Sequence, residues 1–178
     1  VRSKSESRLH DELKRRYAEA LGGRLEQTVE GFQVDVLKDN AVVEVQVGKL
    51  GALGRKVRTL SSRDYSVQVV LPIQAVITSP VKSKASGRSH LRTRRRKASF
   101  LDAFRELVHF PELLAMPGVK LELLLLHEQR LSYAVRETVW RGGRPRSRLL
   151  DGFNRDTSVV EVLDRRVVET NADLLKLL

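Results

Sequence analysis

The thirteen residues "VDVLKDNAVVEVQ" (34–46) decide how this sequence is read. Two apolar runs flank Asp39-Asn40, a pair that tolerates the positive φ of a tight turn. If those two residues form the turn, cross-strand partners are residues whose numbers sum to 79. Asp35 then faces Glu44 on one side of the sheet, and Gln33 faces Gln46 one step along. Like charges directly opposite each other destabilise a strand pair. Two carboxylates held there make sense if a cation sits between them, and a hard, oxygen-loving ion such as Mg²⁺ suits that donor set.

Outward from the hairpin, periodicity supplies the frame. Leu9, Leu13, Tyr17, Ala20 and Leu21 recur at helical spacing, which predicts a helix over 3–21, capped by Ser5 or Ser7 and ended by Gly22-Gly23. Residues 25–38 read as extended structure and 41–48 as a second strand. Leu50, Leu53, Val57 and Leu60 predict a helix over 49–60. Residues 67–77 form a mostly apolar strand of the kind covered on both faces, with Pro72 marking a bulge or an edge.

The next stretch is basic. No acidic residue occurs from Tyr65 to Leu101, and "VKSKASGRSHLRTRRRKAS" (81–99) carries eight Lys or Arg. It reads as a mobile loop inserted at about 80–98. An amphipathic helix is expected over 99–110, a buried strand over 119–128 and a returning strand over 130–138. "WRGGRPRSR" (140–148) reads as a linker or hairpin tip. The stretch 139–178 is then a C-terminal extension, the start of a second module, ending in a helix capped by Thr170 or Asn171.

Composition narrows the partners. Of 178 residues, 33 are Lys or Arg and 22 are Asp or Glu, a formal charge of +11. Such an excess points to nucleic acid. Without cysteine there is no disulfide and no thiolate metal site. His10, His90, His109 and His127 lack zinc spacing, and His10 carries little weight as a lone histidine. No apolar run is long enough to span a membrane, and no signal peptide opens the chain, so a soluble cytoplasmic protein is expected. The opening valine points to a piece of a longer protein.

These elements resemble the PD-(D/E)XK, or restriction-endonuclease-like, nuclease superfamily. "RLHDELKRRYAEAL" (8–21) is similar to its first helix, with Glu12 at the acidic position. "GFQVDV" (31–36) is similar to the Asp strand through Asp35, and "VVEVQVGK" (42–49) to the (D/E)-x-K strand through Glu44 and Gln46. The resemblance covers about residues 5–78. It implies an α/β fold with a core of helix-strand-strand-strand-helix-strand order, a mixed sheet flanked by helices, over 1–138. It also implies metal-dependent hydrolysis of DNA, with Mg²⁺ or Mn²⁺ on Asp35 and Glu44 and homodimers as a common assembly. Gln46 departs from the usual Lys. A neutral amide can hold a water by hydrogen bonds but supplies no charge, and Lys49 is the nearest replacement. Glu12 would position the helix or a second ion. Arg55, Lys56, Arg58, Arg92, Arg94, Arg95, Arg96 and Lys97 would track phosphates. The alternative reading is a nuclease-fold protein that binds DNA or RNA without cutting and recruits a partner.

Overall fold

A computed structural model describes residues 8–82, 89–141 and 144–178. The chain is an α/β protein built on one mixed, open sheet of seven described strands, with helices on both faces. The first elements run α1 (Arg8–Leu21), β1 (Arg24–Val29), β2 (Phe32–Lys38), β3 (Ala41–Val45), α2 (Gly54–Ser61) and β4 (Ser66–Lys82). After them come β5 (Ser89–Arg95), a one-turn α3 (Phe104–Leu107), β6 (Val119–Arg141), β7 (Arg144–Val168) and α4 (Asn171–Leu175). Strand order is β1-β2-β3-β4-β6-β7, with β5 paired to β4. β3 and β6 run parallel to β4, and the other pairs are antiparallel.

The hairpin register is the one the turn dictates. Val36 pairs with Val43, Leu37 with Val42 and Lys38 with Ala41, each pair summing to 79. Asp39 holds φ at +53°, as the tight turn requires. Two cores follow from the alternation of strand side chains. On one face Leu9, Leu13 and Ala18 of α1 pack on Val36, Val43, Val45, Val70, Leu124 and Leu126. On the other, Val57 and Leu60 of α2 pack on Val34, Val42, Val67, Val69, Leu121 and Leu123.

Several expectations are revised. The 25–38 stretch is two strands, β1 and β2, split by a turn at Glu30 and Gly31, both with positive φ. The basic segment is not simply a loop, because Ser89–Arg95 forms β5 and pairs with Lys82–Val76. Charge does not oppose a strand whose long basic side chains reach water, and Arg92, Arg94 and Arg95 are exposed. Residues 83–88 lie outside the described residues, as do 1–7 with the expected cap at Ser5 or Ser7. The helix expected over 99–110 shrinks to a 3₁₀ turn, Phe100–Ala103, and the single turn of α3. Pro111 follows, and the residue before a proline is pushed out of the helical region. Ser99 and Asp102 close a capping box at its start, and Thr170 and Asp173 do the same for α4.

The stretch 139–178 carries β7, which pairs with β6 from Arg141↔Arg144 to Leu121↔Val168. The segment expected as an extension is therefore hydrogen-bonded into the same sheet. Its polar composition reflects an edge strand with one free side. Residues 142 and 143, at the expected hairpin tip, lie outside the described residues.

β3 and β5 lie along the same edge of β4. β3 covers Ser66–Val70, and β5 covers Val76–Lys82. Between them that edge is open, and a cavity of about 220 Å³ forms there, lined by Gly48, Pro72, Gln74, Arg96 and Arg105 among others. Pro72 sits in this break, where a missing N–H breaks no ladder. Among the described residues no helix is long and apolar enough to cross a membrane.

Candidate active site

The β2–β3 ladder ends at Val36↔Val43, and side chains take over from backbone. Asp35 Oδ2 accepts the N–H of Val45 at 2.8 Å, and Glu44 Oε1 accepts the N–H of Asp35 at 3.4 Å. Each carboxylate thus satisfies a backbone donor on the partner strand that the splayed ladder would otherwise strand. Val34 packs in the α2-side core and Val36 in the α1-side core. The strand therefore turns at Asp35.

Lys56 and His10 complete the cluster. Lys56, from α2, donates to Glu44 Oε2 at 2.7 Å and to the carbonyl of Gln33 at 2.6 Å. His10, from α1, places Nε2 at 3.1 Å from Asp35 Oδ2. Glu44 is 2% exposed. Burial pushes its carboxyl up to about 7, with Lys56 opposing and the Asp35 charge adding to the rise. For Asp35, burial pushes upward, but His10, the Val45 N–H and Lys56 outweigh it and hold the carboxyl below its ordinary range.

The remaining expected residues divide. Gln46 is tied down: its N–H donates to Val70 O at 2.8 Å, and its side-chain amide donates to Lys49 O at 3.2 Å. Lys49 is exposed at the start of the 3₁₀ turn Leu50–Leu53. Glu12 binds Arg16 at 2.7 Å and the N–H of Val159 at 2.8 Å, so it anchors α1 to β7. His10 and Glu12 are two residues apart and project about 200° from each other around the helix. The helix therefore turns His10, not Glu12, toward Asp35.

Three expected phosphate contacts are engaged within the protein. Arg58 pairs with Glu112 and lies over the Phe110 ring at 5.2 Å, and Arg55 lies over Phe32 at 5.8 Å. Lys56 belongs to the carboxylate pair. It was legible in principle: it is three residues after Leu53 and four before Leu60, on the apolar stripe that faces the sheet. His10 sits likewise three and seven residues before Leu13 and Tyr17. Arg92, Arg94, Arg95, Arg96 and Lys97 are exposed.

A family model described as Domain of unknown function (DUF8091) matches residues 7–169. The chain belongs to this family. A Treponema pallidum (strain Nichols) relative, itself described as an uncharacterized protein, is 28% identical over 142 residues, which is 79% of this chain and 56% of the relative. The chain thus spans about half the length of the curated relative it matches. No solved structure matches the chain. In this DUF8091 chain the carboxylate pair Asp35–Glu44 is held by Lys56 and His10.

Proposed function

We propose that this DUF8091 chain is a divalent-cation-dependent phosphodiesterase that cuts DNA, built on a restriction-endonuclease-like core. The observation that carries the reading is the Asp35–Glu44 pair at the point where β2 and β3 part. Support comes also from the element order α1-β1-β2-β3-α2-β4, and from the basic β5 on the same sheet.

A hard divalent ion suits the donor set. Among the described residues no three His, Cys, Asp or Glu side chains form a metal-holding group; Asp35 and Glu44 would supply two carboxylates, and a Mg²⁺ ion commonly keeps several waters in its remaining positions. The charge balance favours a cation: two carboxylates face one lysine, and the buried Glu44 is raised to about 7 even beside it. Asp35 and Glu44 would hold Mg²⁺ or Mn²⁺. Such an ion, when bound, polarises a phosphodiester and lowers the pKa of a bound water.

The chain's own residues have separate work. The Val45 N–H and His10 fix the Asp35 carboxylate. Lys56 holds Glu44 and supplies the positive charge that Gln46 lacks. The Gln46 amide, oriented by Lys49 O, offers its carbonyl oxygen to a water proton.

Single-turnover assays on supercoiled, branched, duplex and single-stranded substrates test this. Cleavage should require Mg²⁺ or Mn²⁺ and vanish in Asp35→Asn while DNA binding persists. Cleavage in excess chelator, or unchanged in that variant, sinks the proposal. Salt-sensitive DNA binding without turnover on any substrate instead favours the non-cutting recruitment reading.

A further inference from the structure

The strand β5 divides its basic residues between two faces. Thr93 Oγ1 lies 2.9 Å from Thr78 Oγ1, which in turn lies 2.8 Å from His127 Nε2. These three side chains share one face, and Arg95, two residues from Thr93, projects to the same side. Arg92, Arg94 and Arg96 project to the other. On that side Arg96 Nη1 donates to Gln74 Oε1 at 3.3 Å, and Arg130 Nη2, from β6, donates to the same oxygen. Glu128 and Arg130 alternate with His127 along β6 and so lie with Arg96. This is the face covered by α1, because Leu124 and Leu126 precede Glu128 in the same alternation and pack on α1.

Two guanidinium groups meet on one neutral amide oxygen. The acid beside them is Glu128, fully buried, with Arg130 Nε at 3.5 Å from its Oε2. Its carboxyl oxygens are buried without a hydrogen bond. Gln74 and Arg96 line the cavity in the break between β3 and β5 together with Arg105, Asp102 and Glu106. Arg105 pairs with Asp102 and Glu106 accepts the N–H of Leu50, so the exposed cations that lead outward from the cavity are Arg96, Arg94 and Arg92. Arg94 and Arg92 continue outward from Arg96 at about 7 Å per two-residue step. That repeat is close to the separation of successive phosphates along a nucleic-acid strand.

We propose that Arg96 and Arg130, joined on Gln74, form a phosphate clamp, and that Arg94 and Arg92 extend it into a track for one nucleic-acid backbone on the α1 face of the sheet. The track rests on the nucleic-acid part of the reading above and not on its cleavage chemistry. Arg95 faces away and takes no part. The contacts are to phosphate alone, so binding tolerates any base sequence and weakens steeply with salt.

Fluorescence anisotropy with labelled duplex and single-stranded DNA, in EDTA and over a range of salt, tests the track on the whole chain. Arg94→Ala and Arg96→Ala alter exposed side chains and leave Arg130 on Glu128, so folding, checked by circular dichroism, is preserved. Each should lower the slope of log K against log salt by about 1, where Arg95→Ala, with the same loss of charge, leaves it unchanged. Equal losses in Arg94→Ala and Arg95→Ala overturn the proposal, as does capture of phosphatidylserine vesicles through these arginines without DNA binding. If the cleavage reading alone fails, these slopes stand and turnover is absent. If the track alone fails, turnover stands and the slopes do not discriminate.

Discussion

Lys56→Met removes the ammonium from a carboxylate that is 2% exposed. In the intact protein Glu44 titrates at about 7, because burial and Asp35 outweigh Lys56. Its folded pKa therefore lies above the 4.5 of an ordinary glutamate. The native state binds more protons than the unfolded chain between those values, so the stability contributed by protonated Glu44 is full below about 4.5 and is lost as pH rises through 7. A shift of this size is worth ~3 kcal/mol. Without Lys56 the carboxyl rises further, and at pH 8 the buried group must either hold an uncompensated charge or take up a proton, at a cost of about 3–5 kcal/mol. Near pH 5 Glu44 is protonated in both proteins, and the loss should fall to ~1 kcal/mol, the value of an ordinary hydrogen bond. Urea denaturation at the two pH values measures both. The double variant Glu44→Gln/Lys56→Met should regain most of the loss at pH 8. A penalty that is the same at both pH values, with no recovery in the double variant, refutes the reasoning.

Other consequences follow from single contacts. Glu12→Ala removes the acceptor for the Val159 N–H and should cost about 1–2 kcal/mol in chemical denaturation, with any DNA cleavage per folded molecule unchanged. Asp39→Ala places a Cβ-bearing residue without local side-chain hydrogen bonding at φ +53° and should lower stability by about 1 kcal/mol, read as a shifted urea midpoint. Binding of Mg²⁺ near pH 7 should release a proton from Glu44, seen by calorimetry as a heat that depends on the ionisation enthalpy of the buffer. That release should disappear in Glu44→Gln.

The sequence makes the hairpin legible because a two-residue turn leaves little freedom: once Asp39-Asn40 is the turn, every cross-strand pair down to Val36↔Val43 follows. It does not show that the ladder stops there. Whether Asp35 bonds across to a strand or spends its carboxylate on Val45 N–H is decided by tertiary packing, with Lys56 drawing the Gln33 carbonyl out of the ladder. Both His10 and Glu12 lie on α1, and the rotation of that helix, set by Leu9 and Leu13 in the core, decides that His10 meets Asp35. In the basic segment composition and alternation point different ways. Eight cations suggest solvation, yet the alternation of Thr93 with Arg92 and Arg94 fits a strand with one face bonded to Thr78. The long β6–β7 pair is not legible in the sequence because hydrophobic periodicity reports burial rather than backbone pairing.

The central claim is that Asp35 and Glu44 together bind a divalent cation. Mn²⁺ introduced into crystals of the protein near pH 8, and located by anomalous scattering, tests it most directly. The account predicts one strong peak within ligand distance of both carboxylates, lost in Asp35→Asn crystals treated alike. No peak at saturating Mn²⁺, or a peak that touches neither carboxylate, contradicts it.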